Sequence, residues 1–476
     1  MRFLNGLRAP HLNSPRPQSH ALVMSHRPPP KSFVQPQAFA LAPPDPTRYG
    51  APMHRPHVNW RQLSQSSRLW RARAAALAGA VALGLVAIAF ARFGDAAQQI
   101  FITLYRRHPY APFALTPAMF VAVVWLTRVG WPLARGSGIP QVMAAAHNPE
   151  GENAAKLLSP GTAVAKFLGT AAILLAGGSA GREGPTVQIS AAIMAAVHRI
   201  ARVPITAGVV IAGGAAGVAA AFNTPLAGVA FAIEELASAF EQKVAVLVMA
   251  AVMVGGLVSL GLSGDYIYFG AMSDRMTLAQ MAVGVPLAGV TGGLLGGLFS
   301  RALVGMAGSQ WRVVGIMRAH PLWVAGLCGL VVATTGFFSD GISWGTGYDL
   351  THDLLSGHAA PLMFGPTKFI STLATAISGA PGGIFAPSLS VGAGLGQVLS
   401  LFTPSTPSSA MVLLGLIGYF TGVVRAPLTA VIIVAEMTAT RTMILPLFGT
   451  AIIADWVSAQ VCRPKLYHAL ARPFGG

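Results

Sequence analysis

Apolar residues in this chain come in long runs, unbroken at first and interrupted later. Residues 74–93 and 115–133 are the two clear runs. About 20 consecutive apolar residues are enough to cross a bilayer as a helix, so each run predicts one span. Trp70-Arg71-Ala72-Arg73 stands just before the first run, and a basic flank of this kind is held on the cytoplasmic side. Asp95 to His108 is expected to close this first hairpin arm. Beyond residue 133 the runs shorten and are cut by Gly and Pro. They cover roughly 160–177, 185–201, 204–222, 225–240, 244–262, 279–300, 321–338, 361–379, 387–402, 409–423, 427–439 and 443–461. Many are too short to span. Such pieces survive at membrane depth only when buried in protein or lining a watery cavity, and discontinuous helices mark the ion or substrate site of transporters. The pattern predicts an all-α polytopic membrane protein.

The runs also repeat. Laid on itself at an offset of 202, the chain needs no gap from Lys166 to Glu234. Lys166-Phe167 meets Lys368-Phe369, Gly177 and Gly181 meet Gly379 and Gly383, and Pro185 meets Pro387. Pro225-Leu226 meets Pro427-Leu428, and Glu234 meets Glu436. A small apolar alphabet produces chance matches, but Lys, Pro and Glu in one register are harder to match by accident. The reading is a duplication over about 160–240 and 362–442, with the substrate between halves related by a pseudo-two-fold axis.

Composition agrees with the membrane reading. The 476 residues are 53% hydrophobic and 10% charged, against about 25% charged in soluble domains. Cys328 and Cys462 both lie in apolar segments and are expected to be buried thiols. A net charge of +17 suggests nucleic acid, but its distribution does not. Residues 1–73 hold 11 Lys/Arg and one acid, Asp45, which is more than half of the excess. No nucleic-acid partner is expected.

Residues 1–60 are rich in Pro, His, Gln and Ser and have no run suited to a signal peptide or a packed core. Residues 1–68 are therefore read as a disordered, basic cytoplasmic tail ahead of a membrane domain over 69–472. A true start at Met53 and an Arg-rich presequence are the alternatives, and the latter lacks amphipathic periodicity.

The chemistry centres on residues 174–190. An apolar helix runs into Gly177-Gly178, then come Gly181-Arg182-Glu183-Gly184, and Pro185 is expected to open another helix. Free amides at residues 182–184, with the positive end of a helix dipole, make an anion site. Glu183 places a carboxylate in that site, where it can take an anion's position. Burial favours its neutral form and the amides favour its charged form, so it can switch. A simple N-terminal helix acid is the plainer reading. Glu234-Glu235 lies ten residues into a later apolar segment. Neighbouring helical side chains point about 100° apart, so the two need different partners. Glu234 has its repeat mate in Glu436. Glu235 has none, because Met437 stands there.

Three stretches read G-x-x-x-P: Gly136 to Pro140, Gly181 to Pro185 and Gly383 to Pro387. With 54 Gly and 34 Pro, about four such matches arise by chance, so spacing alone carries little weight. The full spellings carry more. GSGIP, GREGP and GGIFAP, in this order in a polytopic chain, resemble the CLC family of chloride channels and chloride/proton exchangers. Phe222 to Gly228 (FNTPLAG), Ala232 to Leu236 (AIEEL) and Lys465-Leu466-Tyr467 resemble it too. The resemblance covers about residues 70–470.

The resemblance implies a homodimer with one ion pathway per subunit, each an inverted repeat of short, broken, tilted helices. It implies a chloride site formed by Ser137, Tyr467 and the amides of Ile384 and Phe385. Hydroxyls and amides suit chloride, since several weak donors hold it without trapping it. Ser137 as a turn residue and Tyr467 as an interfacial tyrosine are the plainer readings. The resemblance makes Glu183 the gate and a proton carrier, set in the motif Gly181, Arg182, Gly184 and Pro185, with Arg182 structural or field-setting. It makes Glu235 the inner proton-transfer acid, where a helix-end surface acid is the plainer reading. Lys166 and Lys368 either raise the local potential or snorkel, and stay outside the site. Ser137 favours chloride over nitrate-preferring relatives, which carry Pro there, and over fluoride-specific ones, which lack the Ser.

The expected function is exchange of chloride for protons, not catalysis, in a bacterial inner membrane with both termini cytoplasmic. Chloride is the substrate ion, and no cofactor or metal is expected. The chain ends at Gly476, so the paired cytoplasmic modules of many relatives, and nucleotide control through them, are not expected. Rival readings are a passive anion channel, which has no use for Glu235, and a proton-coupled cation or sugar transporter, which has too few buried acids here. A membrane scaffold has no need of Glu183.

Overall fold

The computed structural model describes residues 60–475 except 237–241, 265–266 and 309–310. Of the expected tail over residues 1–68, residues 1–59 lie outside them. Among the described residues the regular structure is helical, and the one β-type pairing is a single antiparallel bridge between Gly181 and Gly383. Six helices are long and apolar enough to cross a membrane, among them Ala111–Gly130, Leu278–Gly308, Pro321–Phe338 and Ile444–Val461. Shorter apolar helices include Pro160–Leu175, Ala207–Phe222, Ser408–Val424 and Pro427–Thr438. They coincide with the Gly/Pro-broken runs of the sequence.

The first helix differs from expectation. Trp60–Arg107 is one helix of 48 residues. It starts inside the stretch read as tail and continues through Asp95, where the arm was expected to turn back. Nothing after Asp95 stops it: no Pro occurs until Pro109, and a lone Gly94 costs only about 1 kcal/mol in a helix. This continuation carries Asp95 and Gln98 past the apolar run to the edge of the candidate site.

Small residues bring the second half close together. A Cβ at Gly292 or Gly296 of the Leu278–Gly308 helix would collide with the backbone of Gly418 or Gly422. A Cβ at Gly415 would likewise meet the backbone of Gly396 on the Phe385–Ser400 helix. Without a hydrophobic drive between helices in lipid, close approach at small residues supplies the packing.

The duplication is visible as reciprocal contacts. The Gly181 amide donates to Gly383 O and the Gly383 amide to Gly181 O, each at 2.7 Å. These residues are 202 apart, so a pseudo-two-fold axis passes between them. The lysines at the same offset do not snorkel. Both are fully buried. Lys166 Nζ donates to Arg135 O (3.1 Å) and Gly136 O (2.8 Å). Lys368 Nζ donates to Ser343 O, Trp344 O and Gly345 O at 3.2, 3.2 and 2.7 Å. An ammonium has three donors and no acceptor, so Lys368 spends all three on one loop. Each lysine ties down a glycine turn that faces the site.

Candidate anion and proton site

Three glycine-bearing turns meet at the centre. The first is Gly136-Ser137-Gly138, with φ of 65° at Gly136 and 109° at Gly138. That left-handed backbone favours glycine, and Pro140 then sets the first turn of the Ile139–His147 helix. The second precedes the Glu183–Ile200 helix and the third the Phe385–Ser400 helix. The Gly382 amide donates to Gly136 O at 3.2 Å, and Gly181 pairs with Gly383. The chain thereby points helix starts at 139, 183 and 385 at one region, each with amides that lack an intrahelical partner. One expectation shifts slightly. The second helix begins at Glu183, so Pro185 stands at its third position, where a missing N–H is still harmless because the first four are unpaired anyway.

Close packing fixes the details. A Cβ at Gly184 would lie 2.5 Å from Ser137 Oγ, so the serine hydroxyl rests on the residue after Glu183. A Cβ at Gly138 would lie 2.6 Å from Gly184 O. A Cβ at Gly181 would collide with Glu183 Oε2 and approach the Ala386 amide nitrogen to 3.2 Å. The glycines of the GREGP motif therefore leave room for the serine and the carboxylate.

Glu183 is fully buried. Its Oε1 accepts a hydrogen bond of 2.6 Å from the Tyr348 hydroxyl, and its Oε2 has no hydrogen-bond partner. The Arg182 guanidinium is engaged away from the carboxylate. It donates to Asp95 Oδ1 (2.5 Å), Ala91 O (2.7 Å) and Tyr268 Oη (2.9 Å).

Tyr467 is delivered by the short Leu466–Ala471 helix. It is fully buried, and its ring lies 5.9 Å from that of Phe385. The hydroxyls of Ser137 and Tyr467 are both buried and face each other, and neither has any other hydrogen-bond partner. They line one cavity of about 390 Å³ together with Ile384 and Arg135. Two buried hydroxyls with no other partner, facing one cavity, are costly unless something accepts their protons. An anion does so.

Glu235 sits in a π-helical turn, Ala232–Leu236, that follows the Pro225–Phe231 helix. Its carboxylate is wholly buried, and neither oxygen has a hydrogen-bond partner. Oε1 lies 3.7 Å from Nδ1 of His468, a half-exposed ring beside Tyr467. Glu234, one residue earlier, points elsewhere and caps another helix.

A second cavity, of about 640 Å³, is lined by Asp95, Arg182, Tyr268, Tyr348, Asp349 and His352, among others. It shares no lining residue with the first. Glu183 lies between them, joined through Gly184 to Ser137 of one and through Tyr348 to the other.

A family model described as voltage gated chloride channel matches residues 118–459. The chain belongs to this family. Among CLC relatives, an H(+)/Cl(-) exchange transporter ClcA of Yersinia pestis bv. Antiqua (strain Angola) is 30% identical over 426 residues, covering 83% of this chain and 86% of that one. A ClcA of Yersinia pseudotuberculosis serotype IB is 29% identical over 425 residues, with the same coverage. Among solved structures, a slow cyanobacterial Cl-/H+ antiporter superposes with a TM-score of 0.73 at 23% identity, over 85% of this chain and 97% of that one. A CLC-type fluoride/proton antiporter superposes at 0.71 and 21%, over 83% and 96%. The last two likenesses establish the CLC fold: all-α and multi-pass, built from short, broken helices.

Sequence reasoning missed Tyr348. Its signal was present: Gly345-Thr346-Gly347-Tyr348 echoes Gly136-Ser137-Gly138-Ile139, at an offset of 209 instead of 202. The spacing from turn to lysine is seven residues shorter in the second copy, 23 against 30, and this hid the match. The φ values of 64° and 84° at Gly345 and Gly347 repeat those of the first turn. Both cysteines are buried free thiols, as expected.

Proposed function

We infer that this protein is a secondary active transporter that exchanges chloride for protons. The observation that carries the reading is a buried carboxylate, Glu183, seated where three helix starts converge, with a second buried carboxylate, Glu235, that has no hydrogen-bond partner and lies off that path. Placing a charge at mid-membrane costs about 2.5–3.5 kcal/mol, so two such acids need a use. A passive channel needs at most the first. The relatives named as H(+)/Cl(-) exchange transporters support the same reading.

In this mechanism chloride is held by the hydroxyls of Ser137 and Tyr467 and the amides of Ile384 and Phe385. Glu183, when charged, occupies the outer anion position and closes the path. When protonated it leaves, and chloride takes its place. Glu235 receives protons from the cytoplasm, with His468 at the water boundary, and passes them toward Glu183 without crossing the chloride path. The motif glycines, Gly181 and Gly184, keep both routes open by omitting side chains.

The protein acts as a homodimer in a bacterial inner membrane, with both termini cytoplasmic. Support comes from the basic Trp70–Arg73 flank and from the bacterial source of the relatives. The deciding experiment is reconstitution in liposomes with a chloride gradient and an external proton electrode. Wild type is expected to drive protons uphill against a pH gradient. Chloride movement with no proton movement would make it a channel.

A further inference from the structure

The turn that carries Tyr348 is the second copy of the turn that carries Ser137. Each is a Gly-X-Gly tied to a buried lysine, Lys166 for one and Lys368 for the other. The first sets a hydroxyl on Gly184. The second sets a hydroxyl on Glu183, the adjacent residue. The duplication therefore supplies one hydroxyl to each side of a single helix start.

The Tyr348 hydroxyl is held in place. Its ring centroid lies 4.6 Å from that of Tyr268 and 5.8 Å from that of Phe269. Its turn is locked from behind, since a Cβ at Gly347 would lie 2.6 Å from Ser390 Oγ and 2.9 Å from Lys368 Cε. Tyr348 lines the 640 Å³ cavity, whereas Glu183 does not reach it. The bond at 2.6 Å is the only side-chain hydrogen bond to the carboxylate among the described residues, and the backbone amides of Glu183 and Ala386 also face it.

We propose that Tyr348 is a positioning residue that latches the charged Glu183 carboxylate in its seated place and so sets the pH at which the gate opens. A phenol donates to a carboxylate about twice as strongly as to a neutral acid. The latch is thus tight while Glu183 is charged and slack once it is protonated. This rests on Glu183 being the gate. The other titratable groups that face the pair are few. Arg182 adjoins Glu183 in the chain, with Asp95 and Tyr268 engaged on its guanidinium. Tyr467 approaches from the other cavity, and Asp349 and His352 follow Tyr348 on its helix. None of these replaces the Tyr348 hydrogen bond.

The test is chloride efflux from liposomes against pH for wild type, Tyr348→Phe, Glu183→Gln and the double variant. Tyr348→Phe removes one oxygen and keeps the ring packing, and its folding is checked by gel filtration. Hydrogen bonds to charged groups are worth enough to move a titration by about one to two pH units. The pH of half-maximal flux should rise by about that much in Tyr348→Phe, with the proton-to-chloride ratio unchanged. Adding Tyr348→Phe to Glu183→Gln should not alter the pH profile, because no charged carboxylate remains. If Glu183→Gln abolishes the pH dependence while Tyr348→Phe leaves the midpoint at the wild-type value, the latch is wrong and the gate stands. If Glu183→Gln keeps the pH dependence, gate and latch fail together.

Discussion

The carboxylate of Glu234 caps the helix that begins at Pro427, and the carboxylate of Glu436 caps the helix that begins at Pro225. Glu234 accepts from the amides of Leu428 (3.1 Å) and Thr429 (2.6 Å). Glu436 accepts from those of Leu226 (3.1 Å) and Ala227 (2.7 Å). Every atom in one cap has its counterpart 202 residues away in the other (428 − 226 = 202; 436 − 234 = 202). Each repeat supplies the anion that the other repeat's helix start requires.

These caps predict a stability effect with no transport effect. Glu234→Gln or Glu436→Gln keeps one acceptor oxygen but loses the charge, which should cost about 1–2 kcal/mol each. Denaturant titration in detergent should show similar losses for both. The proton-to-chloride ratio in liposomes should match wild type. A stable but uncoupled Glu234→Gln protein would place that acid in the proton route instead.

Glu183→Ala removes the group that competes with chloride. Chloride efflux should continue at all pH values, and proton movement should stop. Proton uptake driven by a chloride gradient in this variant would refute the gate assignment.

Glu235→Gln separates the two ions. Its buried oxygens make no hydrogen bond, so Gln fits without breaking one. Chloride flux should stay within a few-fold of wild type while proton flux falls at least about tenfold, equivalent to more than 1.4 kcal/mol on the proton step. Equal loss of both fluxes would return Glu235 to a structural role.

Chloride affinity should depend on Ser137, Tyr467 and the space beside them. Gly184→Ala would put a methyl 2.5 Å from Ser137 Oγ and should weaken chloride binding in calorimetry about tenfold. Ser137→Pro should shift preference toward nitrate by removing a donor and re-aiming the turn. Tyr467→Ala should loosen coupling. Unchanged chloride affinity in all three would remove these residues from the site.

The membrane class, the existence of the short broken helices and the duplication were legible in sequence, for a local reason. Apolar runs, Gly and Pro act on their own stretch of chain, and a repeat is a comparison of the chain with itself. Hence Pro321–Phe338 was read with its bounds, and Glu234 was paired with Glu436. Where no stop signal existed, the reading failed: the first helix ran on to Arg107. The resemblance of the GSGIP, GREGP and GGIFAP spellings supplied Ser137, Glu183, Phe385 and Tyr467 as candidates. Only the tertiary structure decided what these residues touch. Glu183 and Tyr348 are 165 residues apart, Arg182 and Asp95 are 87 apart, and a lysine's charge says nothing of which carbonyls will hold it. Lys166 and Lys368 read as snorkelling or field-setting side chains became buried straps for two glycine turns. Contacts across such separations depend on how whole helices pack, and no local pattern encodes that.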